Sequence, residues 1–400
     1  MSMFTLIQEA EVYAPEYLGV QDMLFLGHKI IKLGESLENP AGFECDIVNA
    51  SGKIVYPGFV DNHVHLIGAD DGQGPMGRTH DLNWGDIVES GTTTVVGCLG
   101  SSRFVRSLHQ LYIKTLELDM MGLSTYMYTG SFVIPPPTLT GEIRKDVYLI
   151  PKVIGLKTAI SDTTTNHHTW RDLAAITAEV RYGAGIANKH AVTHVHVGRQ
   201  KTRMDRIFEL IDNTGLDPAV VIPTHINRRN PDVMEQSIEY TKMGGIVDLS
   251  SLMRKEEGTM TGLKPEYAVK RMLDEGAVLE NMTMSSDGNV PQVILGKDGK
   301  RVGRYIAPLD LNRREVRDMA NNGVCSFTDA LRIMTSNVGK ALGIRKGRIV
   351  EGYDADIVIA DSVEDMRIEK VYAKGQLLVD GGEALWRTHF QRDPYYDLYH

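Results

Sequence analysis

Between Val60 and about Ala341, short β-branched runs alternate with stretches in which apolar residues recur at helical spacing. This is the pattern of repeated βα units: strands buried on both faces read as apolar runs, and the helices that cover them are apolar on one side only. Eight units can be laid out, with strands predicted to end near His63, Gly100, Gly130, Lys157, His196, His225, Ser250 and Asp287. Helices are predicted over residues 108–121, 170–182, 205–213, 232–243 and 265–275. Gly122, Gly183, Gly215, Gly244 and Gly276 stand at or just past the last apolar position of each, where a helix ends most easily on a left-handed residue. Eight βα units favour an α/β fold of the closed (β/α)8 TIM-barrel kind, whose active sites gather at the C-terminal ends of the strands.

The two ends of the chain carry a period-two pattern instead. Residues 4–14, 22–33 and 46–56 precede the barrel and 348–360 and 368–379 follow it, as short alternating segments separated by turns. Both ends are expected to pair into one small β-sandwich beside the barrel. The predicted organisation is 1–57 for its first part, 58–345 for the barrel, and 346–400 for its second part and a tail.

Composition narrows the partners. With 52 acidic against 43 basic residues, the net charge of −9 argues against a nucleic-acid or anionic-membrane surface and for a small-molecule substrate. Cys45, Cys98 and Cys325 are odd in number and far apart, so neither a disulfide framework nor a zinc site built from cysteines is suggested. A reducing cytoplasm fits that usage. Residues 1–14 hold Glu9 and Glu11 and no basic stretch ahead of an apolar run, and no window approaches the roughly 18 apolar residues of a membrane span. A cytoplasmic protein without a signal segment, assembled as a homo-oligomer, is expected.

The candidate chemistry lies at the strand ends. His63 and His65 alternate on a strand, so both imidazoles project to one side and can grip one ion. His196, in Thr193-His194-Val195-His196, and His225, in Pro223-Thr224-His225, close apolar strands; His194 shares the face of His196, and periodicity alone admits either as a ligand. Asp287, in Ser285-Ser286-Asp287-Gly288, follows the last strand and is either a ligand or a turn residue.

Lys157 stands at the predicted end of the apolar run that begins at Val153, where a bare amine is costly unless it is a surface lysine. It becomes sensible if the amine has reacted with carbon dioxide, giving a carbamate whose two oxygens bridge two metal ions. Two divalent cations bring four positive charges; a carbamate, Asp287 and a bridging hydroxide lower the total to about +1, which a poorly solvated pocket tolerates far better. Two ions sharing one water generate hydroxide near neutral pH while one of them polarises a carbonyl oxygen. This is machinery for hydrolysis.

Together these residues resemble the amidohydrolase superfamily in its binuclear, carboxylated-lysine subset. Pro57-Gly58-Phe59-Val60-Asp61-Asn62-His63-Val64-His65 is similar to its entry strand, and Gly352-Tyr353-Asp354-Ala355-Asp356-Ile357-Val358 to its closing strand. Within it the chain most resembles the isoaspartyl dipeptidases. Segments 63–68, 135–141, 154–162, 223–228 and 285–289 match in the same order. The resemblance implies that His63 and His65 bind one metal, expected to be zinc, and His196 and His225 the other. It implies Lys157 as the bridging carbamate, with Asp287 ligating and shuttling protons. Arg228 would hold a substrate carboxylate, its alternative being a solvated loop arginine, and Ser101 conservatively replaces a threonine.

The substrate pocket departs from that family. The position of its ammonium-binding glutamate is Gly72, with Asp70 and Asp71 close by. A tyrosine that polarises the scissile carbonyl is matched by Phe132, a carboxylate-gripping arginine by Thr164, and a serine by Pro291. The expectation is a metal-dependent dipeptidase cleaving β-aspartyl dipeptides or related acylated amino acids. The alternatives are a cyclic-amide hydrolase of the hydantoinase or dihydropyrimidinase type, a mononuclear deaminase with no need of Lys157, and a non-catalytic scaffold.

Overall fold

The structure, a computed structural model, describes residues 3–72, 74–101, 103–228, 231–253, 262–296, 298 and 300–386. Eight parallel strands follow one another: β1 (Phe59–Val64), β2 (Thr92–Gly97), β3 (Ser124–Gly130), β4 (Val153–Ile160), β5 (Val192–Val197), β6 (Val221–Thr224), β7 (Val247–Ser250) and β8 (Met282–Ser285). They pair in sequence order. The last meets the first through a bridge between Val64 and Gly288, with the His65 amide donating to the Gly288 carbonyl at 3.1 Å. The barrel is thereby nearly closed, as the eight-unit pattern predicts.

The covering helices begin and end for local reasons. α1 is Trp84–Val88, α2 Leu108–Met120, α3 Ile143–Leu149, α4 Trp170–Ile186, α5 Asp205–Thr214, α6 Pro231–Lys242, α7 Pro265–Asp274 and α8 Leu311–Asn321, followed by α9 (Phe327–Met334) and α10 (Ser336–Leu342). Capping boxes start α2 and α4, Ser107 with Gln110 and Thr169 with Asp172. Gly215 ends α5 in the left-handed region at φ 63°. Gly183 corrects the prediction: it lies inside α4 rather than at its end. A Cβ there would stand 2.7 Å from the Arg144 carbonyl, so this glycine lets α3 and α4 touch backbone to backbone.

Lys157 also moves. β4 continues to Ile160, because Thr158, Ala159 and Ile160 pair with Val195, His196 and Val197 of β5 and the β-branched pair suits extended backbone. The lysine therefore sits in mid-strand, deeper than a strand end. Beneath it, Val60, Val96, Ile154, Val192, Ile222 and Ile246 form an apolar floor, plugged by Val338, Ala341 and Leu342 of α10. Each such buried side chain stabilises the fold by about 1.5–3 kcal/mol.

Both chain ends join one nine-stranded sheet outside the barrel. They meet where Ile54–Pro57 pairs in parallel with Phe4–Tyr13 and antiparallel with Ile357–Ala360. This sheet has its own core, including Ile7, Val12, Phe25, Val55, Ile357 and Ile359. Its Ile54–Pro57 strand runs almost directly into β1, so the sheet positions the segment that carries His63 and His65. An antiparallel hairpin of Pro291–Leu295 with Arg301–Ile306 follows β8, an element the repeat pattern does not foresee. Of the predicted C-terminal segment 346–400, residues 387–400 lie outside the described residues. Among the described residues no helix is long and apolar enough to cross a membrane.

Candidate metal centre

All six predicted ligands come together at the C-terminal mouth of the barrel. His63 is the last residue but one of β1 and His65 follows the strand, Lys157 projects from β4, His196 from β5, His225 lies just beyond β6 and Asp287 just beyond β8; every one is buried. His225 and Asp287 adopt left-handed backbone, at φ 64° and 50°. Such conformations cost a non-glycine residue about 1–3 kcal/mol and persist where surrounding structure holds them, as at functional sites.

Asp287 is the hub. Its Oδ1 lies 3.4 Å from His63 Nε2 and 3.2 Å from His65 Nε2, and its Oδ2 lies 3.8 Å from His225 Nε2. The His225 ring centroid is 5.1 Å from that of His63 and 4.8 Å from that of His196, so the four histidines form one continuous cluster. His196 Nε2 is 3.1 Å from Asp162 Oδ2. With Nε2–H donating to that carboxylate, Nδ1 is left as the ligating nitrogen, the usual arrangement in which a carboxylate orients a metal-binding imidazole.

Charge and burial keep three of the four imidazoles neutral, whereas at His65 Cys98 and Asp287 outweigh burial and push the ring up to about 10. Burial, with Lys157 adding to it at His63 and Arg228 at His225, pushes both imidazoles well below their ordinary range, and His196 falls to about 4. Neutral imidazole is the form that binds metal. Burial opposes ionisation of Asp287, but His63, His65 and Lys157 outweigh it and hold the carboxyl below the usual carboxylate range. Lys157 Nζ is fully buried, has no hydrogen-bond partner among the described residues, and is pushed by burial down to about 8. A divalent pair fits this donor set.

The substrate candidates are placed less uniformly. Arg228 is half-buried, with one terminal nitrogen 4.0 Å from Asp162 and its Nε without a hydrogen-bond partner among the described residues. Phe132 lays its ring 4.5 Å from that of His196. Thr164 donates its amide and hydroxyl to Asp162 Oδ1, at 2.9 and 2.8 Å, and so braces the carboxylate that orients His196. Ser101 is exposed on the loop after β2. Asp70 is engaged by Arg106 at 2.8 Å and Arg78 at 3.5 Å, and Asp71 by Arg304 of the added hairpin at 2.5 Å. A cavity of about 500 Å³ opens on the flank between His80, Asn289 and Arg313; no candidate ligand lines it, so it lies apart from the chemistry.

Sequence reasoning assigns no role to several residues around the centre. Asp162 is one, although it follows β4 closely enough to have been a candidate. Cys98 is another: its Sγ lies 3.7 Å from His65 Nε2, a pairing that cysteine spacing cannot reveal. His194 occupies the level of Lys157, its register partner, and stacks on Tyr128 at 5.1 Å. Below, Asp61 accepts from Ser286 and Asn312, and Asp248 from Thr224, Thr283 and Ser285, tying β1, β6, β7 and β8 together under the ligands.

Residues 193–378 match the model of the amidohydrolase family. The fold superposes on the β-aspartyl dipeptidase of Fervidobacterium islandicum AW-1, solved in complex with a β-Asp-Leu dipeptide, with a TM-score of 0.88 and 35% identity over 97% of this chain and 100% of that one. The dihydropyrimidinase of Brevibacillus agri NCHU1002, 15% identical with a TM-score of 0.66 over 96% of this chain and 97% of its own, shares the fold. In sequence, the 5-methylthioadenosine/S-adenosylhomocysteine deaminase of Thermococcus onnurineus (strain NA1) is 26% identical over 392 residues, which cover 90% of this chain and 86% of the deaminase. More than a third of positions shared along another whole chain, and a family pattern running from β5 into the terminal sheet, make this protein a member of the amidohydrolase family, a hydrolase of carbon–nitrogen bonds.

Proposed function

We propose that the protein is a binuclear metal-dependent amide hydrolase that cleaves β-aspartyl dipeptides or closely related acylated amino acids. Lys157 carries this reading: a fully buried amine without a partner, set among histidines and Asp287, is costly as it stands and useful as a carbamate. His63 and His65 would hold one ion, His196 and His225 the other, and carboxylated Lys157 both. Zinc suits so many imidazoles. When bound, the two ions supply an activated water and draw charge from the scissile carbonyl.

The chain's own residues do the rest. Asp287 sits against His63 and His65, where it can accept a proton from that water and return it to the leaving amine. Asp162 and Thr164 hold the His196 ring, and Phe132 shields it from water. Arg228 offers a fork to a substrate carboxylate. Because Gly72 carries no acid and Asp70 and Asp71 are engaged by arginines, substrates whose α-amine is acylated fit this loop better than those with a free ammonium. The dipeptide reading is supported by the 35% identity to a β-aspartyl dipeptidase over nearly the whole chain.

The test joins metal analysis to a hydrolysis screen of β-aspartyl dipeptides, N-acyl amino acids, cyclic amides and 5′-methylthioadenosine. Two divalent ions per chain and amide cleavage in the first or second group are expected. Ring opening of cyclic amides alone, or ammonia release with a single ion per chain, would overturn the reading.

A further inference from the structure

We propose that Arg199 determines specificity at the leaving side of the scissile amide: it pairs with a second carboxylate on the departing amino acid, so that glutamate or aspartate is preferred there. This rests on the amide-hydrolase reading above and adds to it the chemistry of the leaving group. Arg199 and Arg228 occupy equivalent places, each three residues beyond a candidate ligand, His196 of β5 and His225 just past β6. The Gly198 amide donates to the Ile160 carbonyl at 2.9 Å and the Gln200 amide to the Ser161 carbonyl at 2.8 Å, which clamps the Arg199 backbone beside the segment leading to Asp162. Gly198 permits the approach, since a Cβ there would stand 2.5 Å from the Asp162 Cβ.

The two arginines thus flank Asp162, and that carboxylate is already committed. Its Oδ1 accepts from the Thr164 amide and hydroxyl and its Oδ2 faces His196 Nε2 at 3.1 Å, while the Arg228 terminal nitrogen stays 4.0 Å away. The Arg199 side chain forms no hydrogen bond or ion pair among the described residues. Burial, and then the charge of Arg199, push the Arg228 guanidinium down to about 10, as two cations do when too little acid lies between them.

An arginine at the surface is often merely solvated, and Arg199 is exposed. Here, however, residues 199–203 bring Arg199, Lys201 and Arg203 together beyond β5 with no acid among them, in a chain whose net charge is −9. Such a local excess draws an anion in. Arg228 is half-buried, so it meets the carboxylate next to the scissile bond; Arg199, farther out, meets one carried at the end of a side chain. A guanidinium holds such a group through two parallel N–H···O bonds, which glutamine or asparagine in the same place cannot match.

The test compares β-aspartyl and N-acetyl derivatives of glutamate with those of glutamine, and of aspartate with those of asparagine, pairs that differ by one charge at nearly constant shape. On the metal-loaded wild type, kcat/KM should favour the acid in one pair or both by about tenfold, the lower end for a charged hydrogen bond because Arg199 is exposed. Raised salt should shrink that ratio, Arg199→Gln should bring it to about one, Arg199→Lys should restore part of it, and Lys201→Gln should keep it. Ratios near one in the wild type, or a ratio that survives Arg199→Gln, overturn the inference and leave the amide-hydrolase reading standing. If no derivative is cleaved, that reading falls. Calorimetric binding of free glutamate against glutamine, and aspartate against asparagine, to the metal-loaded wild type and Arg199→Gln then decides the inference by the same ratios.

Discussion

Of the four lysines buried among the described residues, Lys157 and Lys346 have opposite surroundings. Lys346, 7% exposed, donates to Asp354 Oδ2 at 2.7 Å and Asp356 Oδ2 at 2.6 Å; the two carboxylates outweigh burial and raise its ammonium above the ordinary range. Lys157 has no such partner among the described residues, and burial lowers it. Lys346 anchors the terminal sheet to the end of the barrel and is complete within the chain. Lys157 finds no such completion among the described residues. Burial of a charge is thus not itself a sign of function; burial without satisfaction is.

Four measurements can break or sharpen that contrast. The largest effect is expected from Lys157→Met, which should lower turnover on the order of 10⁴-fold, the upper end of what one group contributes. The metal-free variant should unfold at or above the wild-type temperature, because no internal partner is lost; a marked loss of stability would show that Lys157 is structural after all. Asp287→Asn comes next: it should cost about 10³-fold in kcat with most metal retained, and near-normal turnover would remove Asp287 from the proton path.

Lys346→Met should do the reverse of Lys157→Met. Leaving Asp356 buried beside an apolar side chain, while half-buried Asp354 keeps only Lys29, should destabilise the fold by about 3–5 kcal/mol while metal content and turnover of the folded fraction stay unchanged. Denaturant titrations with metal analysis would separate these outcomes.

The smallest effect is the pH dependence of that ion pair. Asp354, despite burial, is held low by Lys29 and Lys346. Its contribution is therefore present above the unfolded carboxyl value of about 3.9 and is lost as pH falls through the folded value. Lys346 is raised, so its contribution is full below about 10.4 and is lost as pH rises through the folded value. Wild-type stability should fall on both flanks, and Lys346→Met should lack the alkaline fall attributable to this group. Identical alkaline limbs in the two proteins would sink the argument.

The barrel, the paired ends and the ligands were legible because each carries a local signal. His63 and His65 show their shared face by alternation, and α5 announces its end with Gly215. Gly183 misled because a glycine after an apolar run reads as a stop, whereas here it permits contact with Arg144 of a neighbouring helix. At Lys157 a charge interrupting an apolar run reads as a strand end, and only pairing with β5 shows the strand continuing. Asp70 and Asp71 read in sequence as ammonium contacts, but Arg106 and Arg304 hold them, Arg304 from a hairpin more than two hundred residues downstream.

By itself, then, the sequence determined the βα alternation, the donor types and their order along the strands, because period and turn chemistry act over a few residues. Only the tertiary structure decided which of those donors meet, that Cys98 lies against His65, that Asp162 orients His196, and that Lys157 lacks the partners Lys346 has. The physical reason is that a buried polar group takes its partners from whichever strands the barrel sets beside it, and closure of β8 on β1 brings together residues more than two hundred positions apart.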